Sequence, residues 1–273
     1  MFDKIWFHLS RPWFRPLLTL YFNFRLLPWR QACKLPILIY GPVKFFWLKG
    51  RVVIRASEIF RGMITLGKNN EFFDGDDGSA FVYMSENSTI IFNGPCALGN
   101  NYNLRVGVNA TLELGAYTFF GASVKIICAE HIRVGDYTRI AYESQLVDTN
   151  SHYVYNEKTG SAAPKQGSIE IGRANWIGNR ATINKGAHTK DMTIVSANSM
   201  LNKDYTRLPE ENQMLGGTPA KLITSGLHRI FSTSIDKVID QHYIIEKSTQ
   251  PYTFSKPLED TFDDVEYWFK HIM

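Results

Sequence analysis

One histidine stands where a regular pattern breaks. After Leu146 the chain runs Val147-Asp148-Thr149-Asn150-Ser151-His152, and a polar stretch continues from Tyr153 to Gly167 before aliphatic residues resume at Ile169. An imidazole can take up and return a proton near neutral pH, which suits general acid–base work. Asp148 and Asn150 lie in the same short segment, where they can orient the ring or grip a polar substrate. Each of the three also has a plainer reading, as an exposed loop histidine and two turn residues. The interruption favours chemistry, because a repeating chain that loses phase does so to set a functional loop on its side. Thiol chemistry has less to recommend it. Cys33, Cys96 and Cys128 are far apart and odd in number, which argues against a disulfide framework and for a reducing, cytoplasmic setting. Only Cys128 has a histidine close by, His131, and nothing in that spacing makes the two side chains converge.

The loop interrupts a period of six. Between Val106 and Asp204 an aliphatic or aromatic residue, often followed by glycine, keeps returning: Leu114-Gly115, Phe120-Gly121 and Ile126; Val134-Gly135, Ile140 and Leu146; Ile171-Gly172, Ile177-Gly178 and Ile183. Six matches neither a helix face nor a single alternating strand, so each unit is predicted to be one short strand and one corner of a parallel β-helix. Small residues four places on (Thr118, Val124, Thr138, Ser144, Ala181) are expected to point inward as well. Leu114 to Val134 spans three units of six plus two residues, giving a triangular coil with one irregular corner.

With 273 residues and 44% hydrophobic content the chain can bury a large core, and its net charge of +4, with both signs interspersed, is too mild to argue for nucleic acid. Residues 1–50 concentrate aromatics (Trp6, Phe7, Trp13, Phe14, Phe24, Trp29) with Arg11, Arg15, Arg25 and Arg30, and are expected to be a helical extension. They hold no run of the ~20 apolar residues that a spanning helix needs. Two readings stand open: a cap on one end of the solenoid, or peripheral contact with a membrane surface. Residues 51–223 read as the β-helix, with the active-site loop at 147–168, and an acidic turn at Asp74 to Asp77 lacks the ligand spacing of a calcium loop. Residues 224–273 return to helical spacing, with Ile235, Val238 and Ile239 and then Phe262, Val265 and Phe269 on apolar faces.

Four motifs in order carry a family resemblance: Trp176-Ile177-Gly178, Ala197-Asn198-Ser199, Asn202-Lys203-Asp204, and Gly216-Gly217-Thr218-Pro219-Ala220-Lys221. With them the chain resembles the hexapeptide-repeat acyltransferases, in particular the acetyl-CoA-dependent O-acetyltransferases that act on galactosides, maltose, capsule and lipopolysaccharide. The resemblance is good from about Ile171 to Ile223 and weaker from Leu114 to His152. Lys190 and Ser196 stand where the pattern has glycine, and Thr189 takes an inward aliphatic position, so the last coils are expected to be less regular.

The resemblance implies an all-β solenoid, a left-handed parallel β-helix with helical N-terminal and C-terminal extensions, assembled as a homotrimer with active sites between subunits. It implies acetyl-CoA as co-substrate, no metal, and a carbohydrate acceptor, such as a cell-surface polysaccharide or its precursor at the inner membrane face. On it His152 is the catalytic base of a direct transfer, with Asp148 and Asn150 as candidates beside it. Trp176 lines the pantetheine channel, Asn179 and the backbone of Ala197 hydrogen-bond the arm, Asn202 takes a threonine's place, and Lys203 and Lys221 meet the CoA phosphates. The alternatives are N-acylation of an amino sugar, and a metal-binding β-helix of the γ-carbonic anhydrase kind or a non-catalytic scaffold. Against the metal reading, the seven histidines (His8, His131, His152, His188, His228, His242, His271) include no pair five apart on one coil.

Overall fold

The computed structural model describes residues 13–68, 78–255, 258 and 261–271. Trp6, Phe7 and the acidic turn at 74–77 lie outside them. From Ile37 to Asn184 the strands, the hairpin at 155–162 aside, fall in rotation into three parallel sheets; beyond Asn184 only the first two gain strands, and the last strand of the first is antiparallel. The first face stacks nine strands, the second seven and the third five, so the chain winds as a three-sided solenoid. Coils begin earlier than residue 51, since Ile37–Ile39 and Val43–Leu48 already pair in parallel with Ile64–Leu66 and Ala80–Met84. The aromatic content of this stretch conceals the alternation: Phe45 packs inward on the core while Phe46 is exposed.

The period of six survives as vertical columns. Phe120, Ile140, Ile177, Val195 and Leu215 stack inside the first face. Leu104, Ile126, Leu146, Ile183 and Leu201 do so in the second. All ten are fully or almost fully buried, each contributing about 1.5–3 kcal/mol relative to exposure. Thr118, Val124, Thr138, Ser144 and Ala181 are buried too, filling the corners where the interior narrows. Buried hydroxyls there keep partners, as in Thr118 donating to the Gly115 carbonyl at 2.9 Å and Ser144 to that of Gly178 at 3.0 Å. At Thr189 the inner column turns polar. The Thr189 hydroxyl donates to Asn175 Oδ1 (2.9 Å) and accepts from the Gly172 N–H (3.1 Å), and the third face beyond it is held only by single bridges from Glu170 to His188 to Asp204.

Corners follow two rules. Gly115, Gly135 and Gly172 follow inward residues where successive backbones nearly touch: a Cβ on Gly135 would lie 2.6 Å from the Arg173 nitrogen and the Gly172 carbonyl carbon. Elsewhere the turn is made by residues with side chains in the left-handed region. Tyr117, Tyr137, Ala174 and Met192 have φ of 58°, 57°, 55° and 57°, at equivalent corners of successive coils. This conformation costs roughly 1–2 kcal/mol per residue. It aims each N–H at a carbonyl of the preceding coil's corner, as Tyr137 to Ala116 and Ala174 to Asp136 (2.8 and 2.7 Å), which offsets about 0.5–1.5 kcal/mol of that cost.

Helix α1 (Pro16–Leu26) and the short α2 (Trp29–Ala32) close the N-terminal end. Phe22 and Leu26 enter the core, and two buried polar side chains satisfy the free edge of Ile37–Ile39. Asn23 exchanges two hydrogen bonds with Ile37 (2.7 and 3.2 Å), and the Ile39 N–H donates to the Thr19 hydroxyl (3.0 Å). At the other end Met214–Gly217 and Ala220–Thr224 form an antiparallel hairpin. Helix α3 (Thr233–Asp240) follows, and α4 (Asp263–His271) folds back on the outside of the first face. There Tyr137 donates to Glu266 Oε1 at 2.6 Å and stacks near Phe262, while Trp268 meets Phe119 and Phe269 meets Tyr117.

The corner geometry yields a test. Gly135→Ala should lower the thermal midpoint, with a stability loss of about 1–3 kcal/mol from overpacking, because the obstructing atoms are backbone. Differential scanning calorimetry showing an unchanged midpoint would contradict it.

Candidate active site

Between Leu112 and Ile132 one turn of the solenoid takes 20 residues, yet Ile132 pairs next with Ile169, 37 residues on. The surplus leaves the edge between the second and third faces after Gln145–Val147 and returns at Ile169–Ile171. Its root is closed by backbone contacts. The Asn150 N–H donates to Lys165 O (2.8 Å), the Gly167 N–H to Asp148 O (3.0 Å), and Thr149 bridges Gln166. Gln166 reaches back to the Ala129 carbonyl (2.9 Å), and Lys185 Nζ donates to Pro164 O (2.6 Å). Beyond the root the loop forms a small hairpin, Tyr155–Asn156 against Ser161–Ala162.

His152 sits just past this root and is exposed, its N–H turned back to the Asn150 carbonyl at 2.7 Å. Asn150 is exposed beside it. Asp148 is different. Its side chain is buried, with Oδ1 and Oδ2 accepting the Ala129 and Glu130 N–H groups of the preceding coil at 2.6 and 2.8 Å. Burial pushes its carboxyl above the usual range, and those N–H groups pull it back. Asp148 therefore clamps the corner from which the loop departs.

Two of the three thiols are buried. Burial drives the Cys96 thiol up to about 12 and raises that of Cys128 further, and Cys128 donates to the Thr111 carbonyl at 3.3 Å. His131 turns instead to Glu170, Nδ1 to Oε1 3.4 Å. Among the described residues no three His, Cys, Asp or Glu side chains gather as a metal site.

The residues nominated for the donor divide between two edges. Trp176, 44% exposed, stands on the outside of the first face. Asn179 and Ala197 follow it at the corner between first and second faces, where Asn179 Nδ2 donates to Tyr142 Oη at 3.2 Å. Lys221 is exposed on the terminal hairpin, paired with Gly216. Asn202 and Lys203, by contrast, lie at the corner between second and third faces, the same edge as the loop. Lys203 Nζ stands 5.4 Å from the Tyr205 ring centre. One solenoid thus presents His152 with Lys203 along one edge, and Trp176, Asn179, Ala197 and Lys221 along or near another.

Close to the loop root the structure assembles a group of which the sequence motifs contain only Asp204. Ser168 Oγ lies 3.2 Å from His188 Nε2, and His188 Nδ1 lies 3.9 Å from Asp204 Oδ1. The Thr206 hydroxyl, assisted by Arg207, keeps the Asp204 carboxyl below its usual range. These residues come from three successive coils, and only the pairing of Glu170, His188 and Asp204 aligns them.

No family model matches the chain. Solved structures do resemble it. The polySia specific acetyltransferase NeuO is 15% identical over 81% of this chain and 91% of its own, with a TM-score of 0.50. AntD, an N-acyltransferase from Bacillus cereus solved with dTDP and coenzyme A, is 13% identical over 78% of this chain and 89% of its own, at 0.39. A hexapeptide-repeat containing acetyltransferase from Vibrio cholerae, solved with acetyl coenzyme A, is 24% identical over 42% of this chain and 60% of its own, at 0.35. Of the three, NeuO is near enough to share the fold over most of both chains, and the chain is accordingly a parallel β-helix of the architecture seen in that acetyltransferase.

Proposed function

We propose that this chain is an acetyl-CoA-dependent O-acetyltransferase of the hexapeptide-repeat class, left-handed in its coil, with a sugar hydroxyl of a cell-surface polysaccharide or its precursor as acceptor. The observation that carries this is the long loop after Val147, pinned at its root, that holds an exposed His152 off a solenoid sharing the fold of a polySia specific acetyltransferase. In this reading His152 takes the proton of the acceptor hydroxyl as its oxygen attacks the thioester carbonyl. As the C–S bond breaks, the proton passes to the CoA sulfur, so no acyl-enzyme forms. In the same reading Asn150 holds the acceptor beside the ring. The burial of Cys96 and Cys128 supports direct transfer over a relay through either thiol.

The split of the nominated residues between two edges favours a shared site. A neighbouring copy that sets its Trp176–Asn179 edge against this chain's loop edge would bring both groups together. Such a contact is heterologous, and a rotation of 120° closes it as a trimer. In that groove Trp176, Asn179 and the backbone of Ala197 would line the pantetheine arm, Asn202 would hydrogen-bond it, and Lys203 and Lys221 would meet phosphates as point charges.

Thiol release from acetyl-CoA, followed against a panel of sialylated oligosaccharides, neutral oligosaccharides and amino sugars, tests the function. Turnover confined to amino sugars would replace O-acylation by N-acylation, and none with any acceptor would defeat both. His152→Ala should lower kcat by about 10²–10⁴-fold while acetyl-CoA affinity is kept, because the imidazole acts on a proton in transit. Retained turnover would remove it from the mechanism. Lys203→Ala and Lys221→Ala should raise KM for acetyl-CoA, more at low salt where charge contacts are least screened. Equal binding of CoA and dephospho-CoA to parent and variants alike would refute the phosphate contacts. In analytical ultracentrifugation the active species should have three times the chain mass, and an active monomer would rule out a site shared between copies.

A further inference from the structure

Independently of the reaction proposed, the N-terminal cap has a second face that the rest of the described residues leave open. Helix α1 turns Thr19, Phe22, Asn23 and Leu26 into the protein, while Leu17, Leu20, Tyr21 and Phe24 form a stripe on its opposite side. Trp29 adjoins the stripe through Phe24, and Trp13 is exposed three residues before the helix begins. The three most open of these side chains, Leu17, Trp29 and Trp13, are 78%, 73% and 66% exposed. Arg15 lies 4.6 Å over the Trp13 ring, and Phe24 packs 5.0 Å from Trp29, so the aromatic rings are held at the surface by neighbours. A helix this apolar on both sides presents a second side that nothing among the described residues covers, as a docking surface does.

Charge says what kind of partner. Residues 4–57 contain ten of the 30 Lys and Arg and none of the 26 Asp and Glu, leaving the rest of the chain with a net charge of −6. Arg25, Arg30 and Lys34 are exposed beside the stripe. Two copies meeting through this patch would face each other with like charges and nothing to neutralise them. An anionic phospholipid surface meets both demands, an apolar layer for Leu17 and Leu20 and a headgroup level for Trp, Tyr and Arg. Among the described residues no helix is long and apolar enough to cross a membrane, so the contact lies in the surface plane.

We propose that α1 and its flanking tryptophans dock this protein on anionic bilayers, with the end of the solenoid that α1 caps lying against the membrane. The test is co-sedimentation of the full chain with vesicles of phosphatidylglycerol and phosphatidylcholine, against phosphatidylcholine alone, at low and high salt. Binding should require phosphatidylglycerol and weaken as salt rises. The variant Trp13→Ser/Leu17→Ser/Trp29→Ser alters three exposed side chains and should partition at least tenfold more weakly with an unchanged thermal midpoint. Arg25→Glu/Arg30→Glu should lose at least tenfold and most of the salt dependence. The proposal is overturned if the parent stays in the supernatant with phosphatidylglycerol vesicles at low salt, or if the serine variant partitions as the parent does. It is equally overturned if that variant lowers the oligomeric mass, which would make the stripe a contact between copies. Acetyl transfer to a soluble acceptor should be unaffected in both variants, so its loss or absence speaks to the reaction alone.

Discussion

Everything in this molecule answers to the distance between one coil and the next. Parallel strands stack about 4.8 Å apart, and at the corners, where the chain turns between faces, that spacing leaves no room for ordinary side chains on one column and demands left-handed backbone on another. Glycines at 115, 135 and 172 meet the first demand, and Tyr117, Tyr137, Ala174 and Met192 meet the second at a local cost. Once the corners are fixed, the aliphatic columns line up without further instruction. Extra chain can then leave only at a corner and must re-enter in phase, as it does between Val147 and Ile169.

The same constraint explains what the amino-acid sequence discloses. Aliphatic residues six apart, with glycine behind them and small residues four on, are direct imprints of the stacking, so both the coil and its interruption can be read without coordinates. The corner of Tyr117, Tyr137, Ala174 and Met192 leaves no comparable trace, because these residues are tolerated there through N–H bonds to carbonyls roughly one coil earlier, whereas asparagine marks other left-handed corners, as at Asn101 and Asn109. The first coil is hidden for another reason. Phe45, Phe46 and Trp47 are all large, and their inward and outward alternation differs in burial but not in residue type.

Of the candidate site, His152 was legible because it stands in the break. Asp148 was legible as a residue but not in its part, since the N–H groups it accepts belong to Ala129 and Glu130, 19 and 18 positions back. Ser168, His188 and Asp204 come together only through the pairing of three coils, and their spacing of 20 and 16 residues is that of a coil and not of a motif. The two edges that carry the nominated residues are likewise a property of winding. Trp176 and Lys203 are one and a half turns apart along the chain, and no linear pattern states that they face different ways.

A stack of parallel strands has no natural end: each terminal strand offers the same hydrogen bonds as those it has just made, and another molecule could accept them. Here the offer is withdrawn chemically. Thr19 and Asn23, polar side chains on the otherwise apolar inner side of a helix, occupy the groups of Ile37 and Ile39 that a further coil would claim, and at the far end an antiparallel strand reverses the pattern of the first face. In the language of polymers these are terminators, and they keep a repeating chain a discrete particle when its own geometry would allow a fibre.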